Sequence, residues 1–287
     1  MERFGRNAIL DILNNYGLSP SKAMGQNFLI DGNITDKIVR LSGINKTSGV
    51  LEVGPGFGSL TEKLSLVAGK VIAVELDKRL IPILDDLFQN RENVEILHGD
   101  ILKLDLQQLV GEKLSGYSSH VCANLPYNIT SPVISAFLDS RLFETITVMV
   151  QREVARRICA QPGSKEYGSF TVYVNYHSIP QILFDVPPDC FMPKPKVWSS
   201  VIHLKIRPEP LLDASHESAF FKVLRAAFAQ RRKTLANALY GAFGDIMDKE
   251  DLIALIKKSG HNPIARGETM GLSEFIALSE EFIKKVD

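Results

Sequence analysis

The sequence predicts an α/β protein with a mostly parallel sheet, an antiparallel edge strand and a small all-helical C-terminal domain. Three observations carry this. Five short apolar runs between residues 49 and 150 alternate with helical or mixed stretches. Two further strand-like runs are joined by a proline-rich loop, and the strand signal then stops near Arg207-Pro208. Beyond it, residues 215–287 read as helix, with breaks at Gly241–Gly244 and Gly260–Pro263. The expected domains are therefore 1–207 and 208–287.

Each element has a local reason. Ile9, Ile12, Leu13 and Tyr16 fall at helical spacing, and Gly17 is a plausible stop. After the turn-rich LSPSKAMGQNF, a second helix fits Ile34 to Leu41 and ends at Gly43. The strands then follow at Gly49–Val53, Lys70–Leu76, Val94–Leu97, His120–Ala123 and Thr145–Val150. Their apolar residues are nearly continuous rather than alternating, as in parallel strands covered on both faces. Pro180–Val186 and Val197–Ile206, joined by PPDCFMPKPK, most simply make an antiparallel hairpin at the sheet's edge.

Composition sets the outer limits. With 33 basic and 33 acidic residues the net charge is zero, and 45% of residues are hydrophobic, which excludes a disordered chain. Neutrality excludes a uniformly basic nucleic-acid binder, but the charges are segregated. Residues 1–151 hold 14 basic and 17 acidic side chains, residues 152–207 hold 8 and 4, and Ser218–Gly244 holds five basic and none acidic. Three scattered cysteines are too few for a disulfide framework or a zinc site, and the histidines show no ligand-like spacing, so no metal is expected. The N-terminus lacks a signal-peptide core, and no apolar run reaches about 18 residues. A cytoplasmic protein with no membrane attachment is expected.

The first chemical signal is LEVGPGFGSLT at residues 51–61, where a strand runs into Gly54, Gly56 and Gly58 before a helix. The third glycine comes one residue too early for the dinucleotide fingerprint, which argues against a pyrophosphate at the helix start. Glycines alone are weak evidence, since a minority of such turns are only tight strand-to-helix connections. The next two strands add weight, because they deliver Glu75 and Asp100 at their carboxyl ends, where open α/β sheets bind ligands. Glu75 can accept both ribose hydroxyls and Asp100 an exocyclic amine. The simplest ligand with no phosphate to neutralise is a nucleoside such as S-adenosylmethionine.

The second signal is Asn124-Leu125-Pro126-Tyr127, which follows the fourth strand. Alone it is as well read as an ordinary turn. Beside a nucleoside it suits amine methylation, because an adenine amine is a poor nucleophile with its lone pair delocalised into the ring. The Asn124 side-chain oxygen and a backbone carbonyl of Leu125 or Pro126, set against its two N–H bonds, favour a pyramidal nitrogen. Proline removes a competing donor. Tyr127 offers a face for an unstacked base, worth about 1–3 kcal/mol. No strong base is needed, since the nitrogen becomes acidic once alkylated.

With these two signals stand three segments: Gly25-Gln26-Asn27-Phe28-Leu29, Phe191-Met192-Pro193-Lys194-Pro195-Lys196-Val197-Trp198-Ser199 and Phe228-Ala229-Gln230-Arg231-Arg232-Lys233-Thr234-Leu235. In that order, across nearly the whole chain, they resemble the ribosomal RNA adenine dimethyltransferases. The resemblance implies a class I, Rossmann-like methyltransferase sheet and S-adenosylmethionine as methyl donor. It implies cofactor contacts from Asn27, Leu29, Gly54, Gly56, Glu75, Asp100 and Asn124. Asn124 would also touch the target amine, and Tyr127 and Phe191 would sandwich a flipped adenine. The implied reaction is dimethylation of N6 on two adjacent adenosines near the 3′ end of small-subunit rRNA, in a pre-30S particle, by a monomer.

Two alternatives remain open. One is the related large-subunit rRNA dimethyltransferase that confers antibiotic resistance; the other is a non-catalytic RNA-binding assembly factor. The FAQRRKTL segment and the helical tail favour the small subunit. Without the resemblance, Phe191 among prolines reads as a loop plug. If 218–240 is one continuous helix, Lys222, Arg225, Arg232 and Lys233 share a face suited to rRNA phosphates, although such stripes are usually just solvated.

Overall fold

A computed structural model describes residues 5–18, 25–230 and 232–286. Most of the predicted turn between the first two helices (19–24), Arg231 of the FAQRRKTL segment, and Asp287 lie outside the described residues. The chain divides into two compact units. One holds residues up to Ala155 together with Ile179–Ile206. The other holds Arg156–Ser178 and the chain from Arg207 onward.

The first unit is built on a seven-stranded sheet. Its strands are β2 (Ser48–Val53), β3 (Lys70–Glu75), β4 (Val94–His98), β5 (Ser118–Asn124), β6 (Thr145–Gln151), β7 (Ser178–Val186) and β9 (Ser199–Ile206), in the spatial order β4-β3-β2-β5-β6-β9-β7. The pairs β4-β3, β3-β2, β2-β5 and β5-β6 are parallel, and β9 runs antiparallel to β6. Every residue of β2 is buried, the acid Glu52 included, whereas β4 at the far edge is only half-buried. The two last strands sit together at the other end, with β9 inside β7. Strand order reverses between β2 and β5, the topological switch point where such sheets bind ligands.

A second, two-stranded sheet was not legible in the sequence. β1 (Phe28–Leu29) pairs antiparallel with β8 (Phe191–Met192), Phe28 opposite Met192 and Leu29 opposite Phe191. The Ile30 N–H donates to the Cys190 carbonyl at 2.9 Å and extends the pairing. It ties together two motif segments that lie 163 positions apart for Phe28 and Phe191.

Around the sheets lie α1 (Arg6–Asn15), α2 (Gly32–Ser42), α3 (Ser59–Val67), α4 (Ile81–Phe88), α5 (Leu106–Lys113) and α6 (Thr130–Ser140). α1 buries Ile9 and Leu13, two of the residues that predict it. α2 begins earlier than its apolar residues indicate. Asp31 caps it, accepting from the Asn33 N–H at 3.0 Å, and Gly43 closes it in the left-handed region at φ 78°. His120 and His203 serve the sheet, each bonded at 2.8 Å to a threonine hydroxyl, of Thr145 and Thr147 respectively.

The second unit is helical: α8 (Ser169–His177), α9 (Ala214–Ala229), α10 (Leu235–Phe243), α11 (Lys249–Lys258) and α12 (Leu272–Val286). The short α7 (Arg152–Ile158) spans the division. The core gathers Phe220, Leu224, Leu239, Ile256, Phe275 and Leu278. Tyr167, Val172 and Tyr176 join that core, so 156–178 packs with the C-terminal helices and not, as the single expected boundary at 207 implies, with the sheet. Two further expectations need correction. Residues 218–240 are not one helix: α9 stops at Ala229, and Thr234 caps α10 by accepting from the Asn237 N–H at 3.4 Å. Lys222 and Arg225 therefore lie on α9 while Arg232 and Lys233 lie in the connection, all four exposed. Gly241 lies within α10, and Gly244 is the residue that caps its end.

Candidate active site

A cavity opens at the carboxyl ends of β2, β3 and β5 and beside the turn after β4. Asn27, Leu29, Gly54, Gly56, Glu75, Asp100, Asn124, Leu125, Pro126 and Tyr127 all line it. Phe191 does not. It is 1% exposed, packed in the core with Leu29, Val186 and Val201, and lies behind the cavity wall that its strand partner Leu29 helps to form.

The glycine turn is shaped by close approach. Gly56 has φ 61°, and a Cβ there would lie 2.8 Å from Cδ1 of Phe28. That ring is buried and packed on Phe57 at 4.5 Å between centroids, so it cannot retreat. The Gly56 N–H donates to Oε2 of Glu75 at 3.2 Å, and the Asp77 N–H donates to Oε1 at 2.7 Å. Burial raises the Glu75 carboxyl above its ordinary value, and these backbone donors oppose the rise. Each oxygen keeps lone-pair capacity for a further donor from the cavity. Asp100 is partly exposed; its Oδ1 accepts from the Leu102 N–H at 3.1 Å, and Lys103 lies 3.4 Å from Oδ2.

Asn124 ends β5. Its Nδ2 donates to the Asn27 carbonyl at 3.2 Å, joining the Asn-Leu-Pro-Tyr turn to the Gln-Asn-Phe-Leu segment. The Leu125 N–H donates to the Met149 carbonyl at 3.2 Å and carries the β5–β6 pairing one residue further. The Pro126 carbonyl already accepts from the Ile129 N–H and the Thr130 hydroxyl, both at 3.2 Å. The Tyr127 hydroxyl is 2.7 Å from Oγ of buried Ser199, which fixes the ring's outer end to β9. Burial raises the Tyr127 phenol, and the Ser199 bond partly offsets it.

Three features of this region escape sequence reasoning. Glu52, 2% exposed in the middle of an apolar strand, lines the cavity with Oε2 buried and unpartnered. Burial pushes it from its ordinary 4.5 up to about 8; the nearby Thr61 hydroxyl lowers it and the Glu75 charge raises it. Asp77 is held down at about 2, first by its hydrogen bonds from Arg79 at 2.7 and 2.9 Å. Its Oδ2 also accepts from Gln26 Nε2 at 3.0 Å, tethering the Gln-Asn-Phe-Leu segment to the end of β3. Ile9 of α1 reaches the cavity wall. An acid inside an apolar run was the available signal for Glu52. The others depend on contacts between distant segments.

Comparison with known proteins follows the same motifs. Residues 18–261 match the family described as ribosomal RNA adenine dimethylase. The chain is 42% identical over 274 residues to ribosomal RNA small subunit methyltransferase A of Oceanobacillus iheyensis, covering 95% of this chain and 93% of that one. It is similar to a crystallised dimethyladenosine transferase from Plasmodium falciparum, with a TM-score of 0.77 and 26% identity over 89% of this chain and 97% of that chain. The crystallised 23S rRNA methyltransferase ErmE shares the fold, with a TM-score of 0.70 and 24% identity, covering 89% and 99%.

Proposed function

The chain belongs to the ribosomal RNA adenine dimethylase family, and from that premise we propose that it dimethylates N6 of two adjacent adenosines near the 3′ end of small-subunit rRNA. S-adenosylmethionine is the methyl donor in this reading, the substrate is a pre-30S particle in the cytoplasm, and the enzyme acts as a monomer. The observation that carries it is the meeting of Glu75, Asp100 and Asn124-Leu125-Pro126-Tyr127 in one cavity.

The cavity suits the donor. The missing Cβ at Gly56 lets the buried Phe28 ring close over the turn, which leaves the Gly56 N–H on Glu75 and the turn at the cavity wall. Glu75, with one backbone donor on each oxygen, is set to accept ribose hydroxyls, and Asp100 to accept an adenine amine. Asn27 and Leu29 border the donor from β1 and the residue before it. The donor brings an electrophilic methyl on a sulfonium. The chain's task is to bind, orient and keep water away, so that charge is neutralised among fixed dipoles.

The target amine is met by Asn124. With Nδ2 engaged by the Asn27 carbonyl, Oδ1 is the atom that accepts from the amine. The Pro126 carbonyl is already occupied twice, so the Leu125 carbonyl is assigned the second N–H. Tyr127, pinned through Ser199, supplies the stacking face. Phe191 supports the cavity through Leu29 in this conformation, and a sandwich would require β1 and β8 to shift. Exposed Lys222, Arg225, Arg232 and Lys233 in the helical unit are assigned to rRNA phosphates.

The test supplies labelled S-adenosylmethionine with undermodified small subunits, large subunits and duplex DNA. Label is expected in small-subunit rRNA alone. Asn124→Ala should lower turnover by about 10²–10³-fold or more, the usual effect of removing one preorganised polar group at a reacting centre. Label in large-subunit RNA or DNA would overturn the reading. Tight small-subunit binding without label would favour an assembly factor instead.

A further inference from the structure

The chain has a single tryptophan, and it is not in a core. Trp198 is 42% exposed, in an exposed stretch that also holds Lys194, Lys196 and Val197. Isolated exposed apolar side chains need no explanation. This one has two features that do. The Arg152 guanidinium lies over its ring, 5.2 Å from the centroid, and the Arg152 N–H donates to the Trp198 carbonyl at 2.9 Å. Its chain neighbour Ser199 is the residue that holds the Tyr127 hydroxyl at 2.7 Å.

The second feature fixes the location. Ser199 is paired with Gln151 at the carboxyl end of β6, the same end of the sheet at which Asn124 and Tyr127 lie. Trp198 does not line the cavity, so it stands outside it, one residue from the anchor of the tyrosine at its wall. Arg152 is steadied by Asp185, 3.9 Å away, whose other oxygen accepts from Ser200. The ring is thus stiffened from one side.

We propose that Trp198, backed by Arg152, is a stacking platform for a nucleobase of single-stranded RNA adjoining the base held on Tyr127. The proposal rests on the adenosine-methylating reading above and adds a binding site to it. Every base has a π-face, and stacking on an exposed aromatic tolerates sequence differences. Arginine behind the same ring adds attraction of the cation–π kind and places a positive charge near an anionic strand. A protein partner fits less well, because the exposed stretch beside Trp198 alternates the cations Lys194 and Lys196 with prolines and offers Val197 as its one large apolar side chain.

The lone tryptophan supplies its own test, since the tryptophan fluorescence of the intact chain reports Trp198 only. A single-stranded oligoribonucleotide with two adjacent adenosines is titrated against the donor-saturated enzyme, beside copies made abasic at each flanking position in turn. Saturable quenching is expected, lost with one of the abasic copies. In methylation of undermodified small subunits, Trp198→Ala should raise KM about tenfold, the effect of one base–aromatic stack. Its kcat and donor affinity should be unchanged, and Trp198→Phe should recover most of the loss. Unchanged fluorescence while the RNA is being methylated overturns the platform but leaves the functional reading standing. A KM increase that Trp198→Phe does not relieve, or quenching by small-subunit proteins and not by RNA, also overturns it. If no RNA is methylated, the functional reading fails, and the platform fails with it.

Discussion

The two units bury different things. Among the described residues, every buried carboxylate lies in the first: Glu52, Glu75 and Asp77, all at or beside one cavity. The helical unit buries no acid among its described residues. Its buried polar groups are Thr171, His177, Ser178 and Ser279, and its charges are outside. Burying a carboxylate costs stability unless hydrogen bonds or opposite charge offset it. A fold keeps such groups where chemistry needs them. The contrast separates a unit that sacrifices stability for a polar cavity from one organised around an apolar core and a charged exterior.

The largest effect should come from Glu52, the acid with the least compensation. Its folded pKa of about 8 stands above its ordinary 4.5. The folded state therefore holds a proton that the unfolded state releases, and the protein loses stability as pH rises from about 4.5 to about 8. Glu52→Gln cannot titrate, so its stability should gain on the parent across that window by an amount on the order of a few kcal/mol at pH 8, seen as a higher Tm. Thermal melts at pH 5 and pH 8 measure it. Parallel profiles would break the comparison at its strongest point.

Gly56→Ala comes next. The new Cβ meets a ring that cannot move, at a backbone angle L side chains rarely adopt, so roughly 2 kcal/mol should be lost. Donor affinity should fall with it, which calorimetric titration reads. Smaller still is the Tyr127–Ser199 link. Tyr127→Phe and Ser199→Ala should each cost about 1 kcal/mol in transition-state binding, and the double variant no more than either alone. Additive losses would show that the hydrogen bond does not position the ring.

For the helical unit the prediction is of a small stability change and a large binding change. Replacing Lys222, Arg225, Arg232 and Lys233 by Gln should leave Tm within what about 0.5 kcal/mol produces for each, and donor affinity intact. The salt dependence of rRNA binding should flatten by about 1 in log–log slope for each cation that no longer meets a phosphate. An unchanged slope would remove that surface from the account.

What the sequence disclosed follows the same division. Gly54, Glu75, Asp100 and Asn124 were legible because each stands at or just beyond the end of an apolar strand, and strand ends converge in a parallel sheet. Glu52 was hidden by the same rule, since a buried strand interior is assumed apolar. The Gln26–Asp77 tether and the pairing of Leu29 with Phe191 join segments that no local pattern connects. In the helical unit, the break at Gln230–Thr234 contains neither glycine nor proline, so a continuous helix looked simplest. The affinity of 156–178 for that unit lay in the packing of Tyr167, Val172 and Tyr176, which periodicity does not assign to a partner.

The central claim is that the strand-end acids and Asn124-Leu125-Pro126-Tyr127 form one amine-methylating site. Its most direct test digests small-subunit rRNA after reaction and identifies the modified nucleoside by mass spectrometry. The parent protein should yield N6,N6-dimethyladenosine at two adjacent positions, and Asn124→Ala should yield almost none while still binding S-adenosylmethionine. A methyl group on any other atom, or undiminished dimethyladenosine from Asn124→Ala, would contradict it.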